Sequence, residues 1–182
     1  MIRCDVIFDW IDWSGKTPSV NLLARLWFTK KEFKKIFLAS KNLEQLVYNI
    51  KLVLDDNLKL VVWDRLILSL YFILKDYYKL SDDELEDVYK CIFKDYDWKI
   101  FLIFLNSSWE VMCERIIKRG DISENDLKLI KDKQFYKKYK QIFEESFEYI
   151  PKILGWKVKI LKLNTDCVPT SVAIFLYRIF KR

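Results

Sequence analysis

The sequence contains no histidine. That excludes imidazole catalysis and histidine-ligated metals. Glycine is nearly as scarce, with three in 182 residues alongside three prolines, where an average chain carries about 7% glycine. Collagen-like, linker-like and turn-rich β-sandwich designs are thereby excluded. The expectation is a helix-rich chain with few turns that need φ > 0. The four cysteines, Cys4, Cys91, Cys113 and Cys167, form no C-x-x-C pair, so a zinc or dithiol motif is missing. They read as small core residues of a protein from a reducing cytosol. Long apolar runs are missing as well. Leu66–Leu74 is the longest uncharged one, far short of the ~20 residues that span a bilayer. Met1–Phe8 contains Asp5 and no signal-peptide core.

What is plentiful is tryptophan, whose seven residues outnumber glycine, and charge of both signs. An apolar share of 52% argues for an ordered core, and the length suits one domain over residues 1–182. The net charge of +6 favours anionic ligands such as nucleotides; it permits nucleic acid without selecting it.

Short apolar runs alternate with helical periodicity. Val6–Phe8, Leu58–Trp63, Lys99–Leu105 and Val158–Leu163 read as buried strands. Pro18 opens a helix that runs to about Trp27. Phe33 to Leu54 reads as one long amphipathic helix, as does Asp126–Tyr149, with Pro151 just beyond it. A helix from about Arg65 to Tyr78 follows the second strand, and Pro169 opens a last helix through Phe180. Ser81-x-x-Glu84 and Ser107-x-x-Glu110 read as capping boxes, and Gly120 as a helix stop. Strands alternating with helices predict an α/β fold, a parallel sheet covered on both faces.

Three segments carry chemistry. The first strand leads into Trp10-Ile11-Asp12-Trp13-Ser14-Gly15-Lys16-Thr17. Every fixed position of the phosphate-loop pattern G-x-x-x-x-G-K-[ST] is matched except the first, where Trp10 stands for glycine. Backbone N–H groups at the helix start would bind phosphate oxygens, Lys16 would reach the β- and γ-phosphates, and Thr17 would hold Mg²⁺. A non-glycine residue at the first position costs on the order of 1–3 kcal/mol if the backbone there is disallowed. Second, Asp64 and Arg65 end a strand, with Ser69 beyond. Asp64 can accept a Mg²⁺-bound water and Arg65 can grip a phosphate; an N-cap aspartate beside a solvated arginine is the plainer alternative. Third, Arg115 and Arg119 lie one turn apart on a helix face, which suits a transferring phosphoryl group as well as a solvated surface.

Taken in order, these segments resemble the thymidylate kinase family of P-loop nucleotide kinases. The family signature F-E-G-x-D-G-x-G-K-[ST] is similar to Phe8-Asp9-Trp10-Ile11-Asp12-Trp13-Ser14-Gly15-Lys16-Thr17. L-F-A-A-D-R is similar to Ile36–Lys41, D-R-Y-x-x-S to Asp64–Ser69, and the lid R-x-x-x-R-G to Arg115–Gly120. The long helix through Phe135–Tyr139 and the final strand, loop and Pro-started helix are also alike. The resemblance implies a three-layer P-loop kinase fold with about four to five parallel strands flanked by helices on both faces, and a lid at about residues 115–126. It implies transfer of the ATP γ-phosphoryl group to a deoxynucleoside monophosphate, dTMP by default, with Mg²⁺. Trp10 to Thr17 would surround ATP. Asp12 would sit near the acceptor sugar, Lys41 near its base, and Arg65 and Ser69 on the acceptor side. Asp64 and Thr17 would serve the metal, and Lys16, Arg65, Arg115 and Arg119 would supply positive charge. Some members carry a loop arginine where this chain has Trp13, so this chain would depend on its lid. A homodimer and a cytoplasmic place in nucleotide biosynthesis follow by the same resemblance.

The departures fall on the acceptor side. No counterpart of the family's second strand and its R-E-P-G-G-T-like segment is evident, and its Tyr-Gln pair falls on Ile73 and Leu74. Two other readings therefore stand: a degenerate P-loop protein that binds nucleotide or a partner without turnover, and a related kinase acting on a deoxynucleoside or a modified base in DNA. Trp10 and Trp13 themselves have two origins open to them, divergence to tryptophan or UGA codons that specify glycine in the source. The codons at positions 10 and 13 decide this. UGA restores an intact glycine loop, whereas UGG leaves two tryptophans and ends the recoding idea.

Overall fold

β-branched and aromatic runs between helices form five parallel strands in this computed structural model, which describes residues 4–9, 16–25, 28–55, 58–94, 99–155, 158–164, 174 and 178. Strand β1 (Cys4–Asp9) leads to helix α1 (Lys16–Arg25), then β2 (Thr29–Glu32), α2 (Phe33–Leu38) and α3 (Leu43–Leu54). Strand β3 (Leu60–Asp64) leads to α4 (Ile67–Phe72), which continues as one wider π turn (Ile73–Tyr77), and to α5 (Asp82–Phe93). Strand β4 (Lys99–Asn106), α6 (Trp109–Arg119), α7 (Glu124–Lys131), α8 (Lys133–Leu154) and β5 (Val158–Asn164) complete the order.

The sheet runs β2-β3-β1-β4-β5. β1 is central, pairing Phe8 with Asp64 of β3 and Asp9 with Phe104 of β4. From β1 the chain crosses to the edge at β2, returns through β3 beside β1, and then continues on the other side through β4 and β5, so the connections leave β1 and β4 in opposite directions. That crevice, at the carboxyl ends of the strands, is where open α/β sheets bind ligands.

Both faces of the sheet are buried, which is why its strands read as nearly continuous apolar runs. On one face Ile7, Trp63, Leu102 and Phe104 join Leu46 and Ile50 of α3, Leu70 of α4, Tyr89 of α5 and Phe147 of α8. On the other, Val6, Phe8, Val62, Ile103 and Leu105 pack on Val20 and Leu23 of α1.

Several expectations need correction. The family's second strand is present as β2; its sequence Thr-Lys-Lys-Glu is polar because it is an edge strand paired only with β3. The long helix over 33–54 is two helices, parted where Asn42 turns extended and caps α3 by accepting from Gln45 N at 2.9 Å. The helix over 126–149 is likewise two. Asp132 is extended and caps α8, accepting from Gln134 N and Phe135 N. Pro151 lies inside α8 and not beyond it. The Ser81–Glu84 box forms as expected, but α6 is capped by Ser108 and not Ser107. Cys91 is exposed, and Cys4 and Cys113 are partly buried; burial pushes the Cys4 thiol up to about 11, which keeps it protonated and inert. Cys167 and the helix from Pro169 lie outside the described residues.

Two glycines end helices. Gly120 closes α6 at φ 82, ψ −22, and Gly155 closes α8 at φ 62, ψ −145. No atom lies within 4 Å of a Cβ built at either, so alanine there tests backbone strain alone. Gly120 sits in the ordinary left-handed region, where alanine costs about 1–2 kcal/mol. Gly155 sits in a region nearly reserved for glycine, so Gly155→Ala is expected to cost up to about 3 kcal/mol. Thermal melts of the two variants should rank Gly155→Ala the less stable.

Candidate active site

The carboxyl ends of four described strands carry Asp9, Glu32, Asp64 and Asn106. Each is a hydrogen-bonding residue at the ligand edge. β1 ends at Asp9 and α1 begins at Lys16, the strand and helix that the phosphate-loop reading requires. Trp10, Ile11, Asp12, Trp13, Ser14 and Gly15 lie outside the described residues. Lys16 and Thr17 are the first two residues of α1.

Asp9 is fully buried. Its Oδ2 accepts from Leu66 N at 3.1 Å and Leu68 N at 2.8 Å. Its Oδ1 accepts from Ser69 N at 3.3 Å and Ser69 Oγ at 2.8 Å. These are first-turn donors that a helix leaves without internal partners, and α4 has no side-chain cap of its own. A carboxylate from the neighbouring strand thus caps α4. Burial pushes the Asp9 carboxyl up, while the bonds from Ser69, Leu68 and Leu66 and the Arg65 charge pull it back. Tyr89 secures the same turn from the other side, its hydroxyl donating to Ile67 O.

This capping bends the chain between β3 and α4. Arg65 adopts φ 67, unusual for a residue with a side chain, and Leu66 adopts φ −169, ψ −70. Arg65 N donates to Phe8 O at 2.9 Å, which ties the turn back to β1. Asp64 and Arg65, both half-buried, therefore sit beside the carboxyl end of β1. Ser69 is nearly buried, and its hydroxyl is spent on Asp9; its contribution to an acceptor site is to hold this turn.

The segment expected to form a lid lies at the junction of α6 and α7. Arg119 Nη2 donates to Asp126 Oδ2 at 2.7 Å. The same oxygen accepts from Ser123 N and Ser123 Oγ, closing a capping box on α7. Arg115 lies one turn earlier, half-buried. Lys41 is exposed at the start of α3, its backbone N–H donating to Gln45 Oε1.

Sequence reasoning missed one wall of the edge. A cavity of about 360 Å³ opens beyond β4, lined by Asn106, Ser107, Ser108, Trp109, Glu110, Lys133, Tyr136, Lys137 and Lys140. Tyr136 fixes it by donating its hydroxyl to Ser107 O at 2.7 Å. Lys133 reaches Glu110 at 2.8 Å and lies over the Trp109 ring at 5.0 Å, holding the Glu110 carboxyl below its usual range. The i, i+4, i+7 spacing of Lys133, Lys137 and Lys140 was the available signal. Three ammonium groups and two serines beside the strand-order reversal suit an anionic ligand.

Five parallel strands in this order, with a helix following β1 and an Asp-Arg turn after β3, decide the fold. The chain has the P-loop kinase fold. It is 19% identical to YorR protein from Bacillus subtilis, crystallised with phosphorylated GDP, at TM-score 0.66, covering 97% of this chain and 95% of that one. Deoxyadenosine kinase from M. mycoides with bound dATP is 13% identical at TM-score 0.58, covering 98% of this chain and 100% of that one. Thymidylate kinase from Candida albicans is 16% identical at TM-score 0.57, covering 99% and 92%. At these identities the likeness is one of fold. No family model and no curated protein matches the sequence.

The Mg²⁺ that this fold implies is served by some residues here and not by others. Asp64, half-buried at the strand end, fits a contact to a metal-bound water. Asp9, with both oxygens committed to α4, does not. Among the described residues no group of three acidic or cysteine side chains could hold a metal ion by itself.

The left-handed Arg65 makes a sharp prediction. Arg65→Gly is expected to melt above Arg65→Ala, because only glycine enters φ > 0 without strain, a difference of about 1 kcal/mol. Equal melting temperatures would contradict the turn described here.

Proposed function

We propose that this protein transfers the ATP γ-phosphoryl group to a deoxynucleoside monophosphate, dTMP being the default acceptor. The observation that carries the reading is the Asp64-Arg65 turn, held against the end of β1, the strand that precedes Gly15-Lys16-Thr17 in the chain. Among the similar folds, the thymidylate kinase supports a monophosphate acceptor, while the deoxyadenosine kinase supports a deoxynucleoside one.

In this reading Lys16 and the backbone of Trp10 to Thr17 hold the ATP phosphates. Arg65 binds the acceptor phosphate, Asp12 lies by the acceptor sugar and Lys41 by its base. Thr17 and Asp64 would hold a Mg²⁺ bound with ATP, and that ion would supply positive charge against the phosphates. Arg115 and Arg119 cover the transferring group. Arg119 must first exchange Asp126 for phosphate oxygens, so lid closure and α7 capping are coupled. Phosphoryl transfer needs positioned cations more than acid–base groups, and a chain without histidine can supply them.

One observation favours a second reading. Trp10 replaces the glycine at which the backbone approaches phosphate, and this would leave a protein that binds nucleotide without turnover. A third, a kinase of deoxynucleosides or of a modified base in DNA, shares the donor chemistry and differs only in acceptor. Purified protein given MgATP with a panel of deoxynucleosides and their monophosphates separates the three. Release of ADP that depends on a monophosphate and is lost in Lys16→Ala, by about 10²-fold or more, is the expected result. No ADP, with a melting temperature raised by ATP, establishes the binding-only reading. ADP formed only with deoxynucleosides or DNA moves the acceptor class.

A further inference from the structure

We propose that Asp9 is the residue that positions Arg65. Its buried carboxylate holds the left-handed turn, and so fixes where the guanidinium is presented at the sheet edge.

Asp9 cannot act on a ligand directly. It is fully buried, and its two oxygens already accept from four donors in Leu66, Leu68 and Ser69. Those donors lie immediately after Arg65 in the chain, while Arg65 N is bound to Phe8 O, the residue immediately before Asp9. Two consecutive residues of β1 therefore clamp the chain on both sides of Arg65. A residue with a side chain leaves the left-handed region unless its surroundings over-determine it. Here the surroundings are Phe8 O and the Asp9 carboxylate. With the backbone fixed at φ 67, the Cα–Cβ direction of Arg65 is fixed as well. The same strand precedes Gly15-Lys16-Thr17 in the chain, which the proposed function assigns to the donor phosphates, so β1 would set the relation between donor and acceptor subsites. A misplacement of about 1 Å in such a pair can cost 10²-fold in rate.

The functional half of this inference rests on the proposed kinase activity; the geometric half does not. The experiment therefore has two arms. In the first, the melting temperatures of Arg65→Gly and Arg65→Ala are compared in three backgrounds: wild type, Asp9→Asn and Ser69→Ala. If Asp9 holds the turn, the glycine advantage disappears in Asp9→Asn and shrinks in Ser69→Ala. Should Asp9→Asn fail to fold, the Ser69→Ala background decides. An unchanged advantage in the folded backgrounds overturns the inference. In the second arm, steady-state kinetics with MgATP and the best monophosphate acceptor are measured for Asp9→Asn and Ser69→Ala. Asp9→Asn is expected to lower kcat/KM for the acceptor by about 10²-fold, with KM for ATP nearly unchanged and with Arg65→Ala adding little on top. Fully additive losses at positions 9 and 65, or equal losses for both substrates, overturn the inference too. If the wild type transfers no phosphoryl group to any acceptor, the kinase reading falls, and the melting comparison still decides what Asp9 does.

Discussion

A carboxylate with no access to water organises the ligand edge of this protein. Moving an ionised group into the interior costs several kcal/mol unless good hydrogen bonds replace its hydration. Asp9 receives four, from three backbone N–H groups and one hydroxyl. Hydrogen bonds to a charged group contribute about 1.5–3 kcal/mol each. The arrangement is therefore specific in a way that apolar packing is not. Any change in the position of α4 strands either a buried charge or several buried donors. A second buried carboxylate, Asp5, accepts from Trp63 Nε1 at 2.7 Å. The pairing of β1 with β3 is thus fastened at both ends by polar contacts inside an otherwise apolar layer.

Scarcity of glycine shapes the rest. Gly120 and Gly155 occupy positive-φ helix ends, and Gly15 lies outside the described residues. With none left over, the chain enters the left-handed region with Arg65 at φ 67 and Lys79 at φ 57. Strain is tolerated at Arg65 because β1 clamps it. Lys79 follows the π turn, where Tyr78 N and Leu80 N donate back to Ile73 O and Leu74 O.

The strands at the centre of the sheet were legible because burial on both faces forces unbroken apolar runs such as Lys99–Leu105. The helix stop at Gly120 and the Ser81–Glu84 box were legible because local chemistry alone determines them. β2 was hidden because an edge strand keeps polar side chains. The breaks at Asn42 and Asp132 were hidden because apolar periodicity carries across a cap without interruption. Asp64, Arg65, Arg115 and Arg119 were singled out as candidates from their order along the chain. Asp126 as the partner of Arg119, Ser69 as a donor to Asp9, and the lysine-lined cavity beyond β4 were not, because each depends on elements brought together only by folding.

The account depends on Asp9 holding the start of α4. Native-state amide hydrogen exchange at Leu66, Leu68 and Ser69 reads this contact directly. First-turn amides of a helix ordinarily lack internal partners, and where they open locally they exchange fast. Held by a buried carboxylate, these three are expected to exchange as slowly as the amides of β1 and β3. Exchange as fast as that of Asp82 and Asp83, at the exposed start of α5, would contradict it.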